Sequence, residues 1–199
     1  MKQKLDEIAE IYQGSIYTRI KPNNGIDECS LLDTISMQEL NYTVGNSLCL
    51  EKQESSVLKS KVSSCTFTKE YDVLVGLTMQ KAMVINLERS GKLILSNFAV
   101  IRIHDKNIID PYYLCWLINE NSYFKRLIDA SSQGIAYVST LSIATLRGFE
   151  IPAIDIFKQR KIGELYRLSI ERKKVGMRLE ELNDTLLKLQ IEKLFEGDL

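Results

Sequence analysis

The sequence predicts an α+β protein, with a mixed globular head over residues 1–155 and a long C-terminal coiled-coil helix over 156–199. Three observations predict it. Runs such as "YDVLVGL" and "LILSNFAVIRI" are β-branched and strand-like, yet they stand beside "YYLCWLINENSYFKRLI", whose apolar residues have helical spacing. Pro152 fixes its own φ and biases Ile151 toward extended geometry, so an element ends there. Beyond Lys158 there is no proline, and apolar residues return every three or four positions almost to the chain end.

In chain order, the spacing predicts a first helix over Leu5–Tyr12, stopped at Gln13-Gly14. "KPNNG" is a dense turn signal, and "CSLLDTISM" fits a short strand or a helical turn. From Ser55 to Ile85, β-branched residues and the alternation around "KVSSCTFT" predict strands. "ERSGK" reads as a hairpin-like turn before the strand region "LILSNFAVIRI". The helical stretch after "DKNIIDP" carries Pro111 in its first turn. "SSQGIAYVST" is a polar loop, and "LSIATLRGFEIP" a short helical turn followed by an extended segment.

The last segment, about residues 157–194, contains a heptad seam. Lys161, Leu165, Leu168, Arg172, Val175, Leu179, Leu182, Leu186, Leu189 and Lys193 follow one another in alternating steps of four and three, and seven of these ten are apolar. The terminal lysines can pack their stems and keep their charges in water. Arg172 is an internal polar residue of the kind that sets register or partner choice. Gly176 weakens the middle by about 1 kcal/mol relative to alanine. A helix of roughly 38 residues extends about 55 Å, too far for a head of this size to cover, so the seam needs a partner.

Composition narrows the function classes. With 45% apolar and 26% charged residues the chain is an ordinary globular protein, and its net charge of zero advertises no nucleic-acid or membrane partner. "MKQKLDEIAEIY" lacks the apolar core of a signal peptide, and no apolar run approaches the ~18–20 residues that span a bilayer. A cytoplasmic protein is expected, with Cys29, Cys49, Cys65 and Cys115 as reduced thiols. Catalysis would fall to the single His104, without a glycine-rich phosphate loop, a CxxC pair or a partnered carboxylate motif. A non-enzymatic protein without metal or cofactor follows.

Binding is the remaining option. "SSVLKSKVSSCTFTK" holds three lysines and no acid, and its hydroxyls can position a phosphate backbone. This makes Lys59 and Lys61 candidate DNA contacts; a lysine-protected edge strand is the alternative. Lys81, Arg89 and Lys92 form further basic patches. Ser132, Gln133, Gly134 and Tyr137 could approach a backbone or read a base edge, or simply form a surface loop.

A family resemblance rests on short motifs in a fixed order. These are "KLDEIAEIYQG", "YDVLVG", Pro111-Tyr112-Tyr113-Leu114, Ser132-Gln133-Gly134, Leu141-Ser142 with Leu146, Ile151-Pro152, and Gln159-Arg160-Lys161-Ile162. Together they resemble the specificity subunit of type I restriction–modification systems. Tyr71 stands where the family's strand motif has glycine, and Ile154 where its boundary motif has a second proline. The resemblance implies a target-recognition domain followed by one helical spacer, whereas a full-length member has two of each. It therefore implies a half-length form that homodimerises antiparallel through Leu165, Leu168, Arg172, Val175, Leu179, Leu182, Leu186 and Leu189. Such a dimer would read a bipartite double-stranded DNA site and dock a methyltransferase subunit. S-adenosylmethionine and catalysis would belong to that subunit, and a restriction subunit is a further expected partner. The other reading is a coiled-coil adaptor or regulatory half-subunit that does not itself read DNA.

Overall fold

The computed structural model describes residues 2–22, 28–131 and 140–197. The head is built on a four-stranded antiparallel sheet in the order β2(Ala9–Gln13), β7(Phe98–Ile103), β5(Val73–Gly76), β6(Lys81–Val84). β5 and β7 are the central strands. Their residues Val73, Leu74, Val75, Ala99, Val100 and Ile101 are fully buried, which explains why both read as nearly continuous apolar runs. One face carries α4(Pro111–Glu120) and α5(Ser122–Ser131), and the other carries α3(Met37–Thr43). β1(Lys2–Lys4) pairs with β8(Glu150–Pro152), tying the N-terminus to the end of the head. A separate hairpin pairs β3(Cys29–Thr34) with β4(Gln53–Leu58) over a small core of Ile20, Val57 and Leu93.

Several expectations are revised. The helix expected over Leu5–Tyr12 is a single turn, α1(Leu5–Ile8), after which the chain becomes β2. Leu5, Ile8 and Ile11 satisfy a helical spacing, but Ala9 and Ile11 also alternate with Glu10 and Tyr12, and pairing with β7 selects that alternation. Gly14 ends this strand and passes directly against the Leu95 carbonyl, where a Cβ would collide. The strand expected around "KVSSCTFT" begins instead as a 3-10 helix, Lys59–Ser64. There the Ser64 hydroxyl donates to the Lys61 carbonyl at 2.7 Å, a local bond that competes with strand pairing. "ERSGK" does not join paired strands, because β7 lies between β2 and β5 while β6 is an edge strand. The stretch after Pro111 is two helices. Asn121 leaves helical geometry, and its Oδ1 accepts from the amides of Tyr123 and Phe124 at 3.0 and 3.3 Å.

Pro111 occupies the first turn of α4, and the Asp110 carboxylate caps it by accepting from the Tyr113 amide at 2.9 Å. The extended segment ending at Pro152 is β8, preceded by α6(Ile143–Arg147). From there α7(Ile156–Gly197) runs 42 residues, about 63 Å. α2(Tyr17–Ile20) is a single turn between β2 and β3. None of the four cysteines is joined in a disulfide.

Candidate nucleic-acid interface and arm surface

One edge of the head is assembled from segments far apart in sequence. β2, β5 and β7 present this edge at Gly14, Gly76 and Phe98, since Gly76 pairs with Phe98 and the Gly14 amide donates to the Phe98 carbonyl. The Ser15 amide donates to the Ile94 carbonyl, and the Ser15 hydroxyl accepts from the Thr66 amide at 2.8 Å. These bonds place α2 beside the end of the 3-10 helix that carries Lys59 and Lys61. The Leu77 amide donates to Asn97 O at 3.0 Å, and the Leu141 amide to Leu77 O at 2.8 Å. Leu141 thus anchors the segment that follows residues 132–139. Ser132, Gln133, Gly134 and Tyr137 themselves lie outside the described residues.

Lys59, Ser60, Lys61 and Ser63 stand exposed on the 3-10 helix, and Tyr17, Thr18, Arg19 and Lys21 stand exposed on α2 and its flank; Ile20 of α2 and Val62 of the 3-10 helix share one small apolar cluster. Lys59 meets Glu28 at 3.3 Å with both side chains largely in water, a contact worth at most about 1 kcal/mol and readily exchanged for a phosphate. Among the described residues no ion pair engages Lys61, Arg19 or Lys21. The surface combines exposed cations with hydroxyls, the equipment of a phosphate-contacting surface. Arg19 and Lys21 were not singled out in the sequence. Their only signal was the short basic run "RIKP", and their value comes from the Ser15–Thr66 bond and the Ile20–Val62 cluster, which bring α2 to the 3-10 helix.

The other basic candidates are engaged within the head. Arg89 Nε lies 2.9 Å from Glu39 Oε1, and Lys92 Nζ lies 2.9 and 3.0 Å from the two Glu39 oxygens. Glu39 is buried, and it also sits in the first turn of α3, where its amide donates to the Ser36 cap. Lys81 donates to the Asn119 carbonyl at 3.1 Å and lies 4.0 Å from Glu120; desolvation lowers its pKa. A second buried ion pair, Asp72 with Arg102 at 2.7 and 2.9 Å, holds the start of β5 to β7. Partners 30 to 53 residues apart gave no sequence signal.

The arm presents two surfaces. Toward the head it turns Gln159, Gly163, Tyr166 and Ile170, which pack on α4 and the loop before it. Seam residues Leu165 and Leu168 lie two positions from this row, and residues two apart on a helix point about 200° apart. The seam therefore faces away from the head. Leu165, Leu168, Val175, Leu179, Leu182, Leu186 and Leu189 are all exposed, between 46% and 69%. Arg172 stands exposed among them. Near its tip the arm carries a second apolar row, Leu187, Ile191 and Leu194, with Phe195 beside it. This row continues the head-facing stripe at heptad intervals: Gln159 and Tyr166 share their position with Leu187 and Leu194, and Gly163 and Ile170 share theirs with Ile191.

Features that could serve catalysis do not converge. His104 is exposed beside an open groove of about 460 Å³ at the opposite end of the sheet, near Arg160 at the root of the arm. Cys115 is buried, and its desolvated thiol is pushed well above its ordinary pKa. Among the described residues no group of three His, Cys, Asp or Glu side chains is placed to hold a metal ion. No helix among them is long and apolar enough to cross a membrane.

No protein-family model and no curated protein sequence matches the chain. Solved structures do. The chain is similar to the type I restriction–modification S subunit from M. genitalium at 15% identity and TM-score 0.59, covering 100% of this chain and 46% of that one. It is similar to the HsdS subunit from Thermoanaerobacter tengcongensis at 17% identity and TM-score 0.61, covering 96% of this chain and 47% of that one. A third match, at 16% identity and TM-score 0.61, comes from a structure describing complex assembly and conformational transition of the type I R-M system; it covers 96% of this chain and 48% of that one. One head and one arm, spanning about half the length of each of these structures, have the fold of a type I restriction–modification S subunit.

Proposed function

We propose that the chain is the DNA-recognition subunit of a type I restriction–modification complex, acting as a homodimer with two heads and two antiparallel arms. The observation that carries this reading is the unpartnered seam on the face of α7 opposite the head, in a chain with the fold of half an S subunit. A parallel pairing would stack Arg172 on Arg172 in the middle of the seam. An antiparallel pairing sets Arg172 opposite an apolar residue of the other copy and places the two equivalent heads at opposite ends of the paired arms. The heads would read the two halves of a bipartite duplex through the edge carrying Lys59, Lys61, Arg19 and Lys21, with residues 132–137 supplying base contacts. The second apolar row, Leu187–Ile191–Leu194, lies off the seam and is suited to a helix of the methyltransferase subunit. That subunit would supply S-adenosylmethionine and the chemistry, and a restriction subunit could join the assembly.

Sedimentation of the full chain at micromolar concentration tests the dimer; a monomer defeats it. Selection of bound duplexes by the chain together with its methyltransferase subunit tests recognition. A bipartite consensus is expected. Loss of any sequence preference, with assembly retained, would leave the non-reading adaptor as the correct description.

A further inference from the structure

Three side chains join arm to head through buried polar contacts. Gln159, 3% exposed, donates from Nε2 to the carbonyls of Ile108 and Ile154 at 3.0 and 2.9 Å and accepts from the Asp110 amide at 3.1 Å. Asn119, 1% exposed, satisfies both backbone groups of Ala82 in β6, accepting from its amide and donating to its carbonyl at 2.7 Å each. The same Asn119 amide donates to the Tyr166 hydroxyl at 2.6 Å. Between these bonds lies Gly163, where a Cβ would stand 2.5 Å from Asp110 Oδ1 and 2.9 Å from Tyr112 Cβ. The helices are drawn so close there that only glycine fits.

We infer that Gln159, Asn119 and Tyr166 are positioning residues that fix the rotation and tilt of α7 on the head, and through it the gap between the two half-sites of the duplex. The gap-setting role rests on the homodimeric recognition reading above; the fixed joint itself does not. The argument is one of directionality. Among the described residues, the partly buried aliphatic side chains of α7 that pack against the large core cluster are Ile162 and Ile170. Such contacts tolerate a helix turned or slid by a fraction of a turn. Buried amides with every group satisfied do not, because any displacement strands a desolvated donor or acceptor. Rotation matters because it decides which face is presented: turned by about 100°, one residue on the helix, α7 would no longer point its seam away from the head. Tilt matters through leverage. From Tyr166 to Lys188 the arm runs about 33 Å, so a tilt of about 10° moves that point by about 6 Å.

The test uses the full chain with Cys29, Cys49 and Cys65 replaced by serine and spin labels on Glu54→Cys and Lys188→Cys. It is diluted with unlabelled chain so that only distances within one chain are read. Wild type should give one narrow head–arm distance. Tyr166→Phe with Gln159→Met, which retain packing volume, should broaden or shift it by several ångströms while the circular dichroism stays native. Tyr166→Phe alone serves if the double variant does not fold. The second readout is binding to duplexes that differ only in gap length, with the methyltransferase subunit present. The variant should keep its half-site preference and accept gaps that wild type rejects. An unchanged distance distribution in a folded variant, or a broad one in wild type, overturns the joint. If wild-type chain shows no sequence preference, the recognition reading fails, and the distance measurement still decides the joint.

Discussion

Replacing Glu39 by alanine should be among the most damaging single changes to the head. The substitution removes one buried carboxylate from two cations, Arg89 and Lys92, whose side chains are only 14% and 18% exposed. Breaking a buried ion pair costs about 3–5 kcal/mol, because the partner left behind is desolvated and unpaired. Arg89 and Lys92 retain some access to water, and Arg89 keeps its bond to Asn86 Oδ1 at 3.1 Å. The lower end, about 3 kcal/mol, is therefore expected. Against a typical stability of about 5–15 kcal/mol this is a large fraction. Urea denaturation followed by circular dichroism is the assay. With a slope of about 2–3 kcal/mol per molar, the midpoint should fall by about 1–1.5 M at unchanged slope. Adding Arg89→Met and Lys92→Met to Glu39→Ala should recover part of the loss, since the stranded charges are then gone. A loss below about 1 kcal/mol for Glu39→Ala would refute the reasoning. Arg89 and Lys92 would then be available for a phosphate, as their sequence context alone suggests.

Further outcomes follow from other contacts. Lys59→Glu with Lys61→Glu should weaken DNA binding and flatten its salt dependence by about 0.9 per lost phosphate contact; an unchanged slope would make these lysines edge protection only. Tyr71 has φ of 70°, and Lys106 Nζ sits 3.8 Å from its ring centroid. Tyr71→Gly relieves about 1–2 kcal/mol of left-handed strain but loses a cation–π contact of about 0.5–1 and adds unfolded-chain freedom of similar size. Its stability should stay within about 1 kcal/mol of wild type, and a loss above about 2 kcal/mol in urea would show that the ring is doing more. Burial raises the Cys115 thiol above its ordinary 9.0 and the Tyr166 phenol above 10.0. Folded chain thus holds protons that unfolded chain releases, so this stability is full below pH 9 and is lost as pH rises beyond it. Lys81 and Lys174, lowered by desolvation, act oppositely below 10.5, so the readout is the difference between wild type and Cys115→Ala in urea midpoints from pH 8 to 10.5. A parallel pair of curves would contradict the buried-thiol contribution. Leu179→Asp should yield monomers by sedimentation equilibrium in the centrifuge while leaving the head's circular dichroism native; a surviving dimer would place the association elsewhere than the seam.

The long helix with its heptad spacing, the element that ends at Pro152, the place of Pro111 in the first turn of α4 and the strand character of β5 and β7 were legible in the sequence, because each is a pattern within one continuous segment. The N-terminal helix and the strand at Lys59–Ser64 were misread for the converse reason. Leu5–Tyr12 satisfies two periodicities at once, and only the partner β7 chooses between them. In Lys59–Ser64 local hydroxyl bonds outcompete the strand pairing that its alternation suggested.

The sequence by itself determined that a long helix carries a seam no small head can cover, since helical periodicity is local chemistry repeated along one chain. Tertiary structure alone decided which way that seam points, through amide bonds from Gln159 and Asn119 that bring together residues about 50 positions apart. It also decided which cations are free. Lys59 and Arg89 look alike in sequence, but a buried carboxylate 50 residues from Arg89 holds its charge inside the head, while Lys59 keeps only an exposed partner. A charge is committed or available according to what the fold places within about 3 Å of it, and no local pattern encodes that distance.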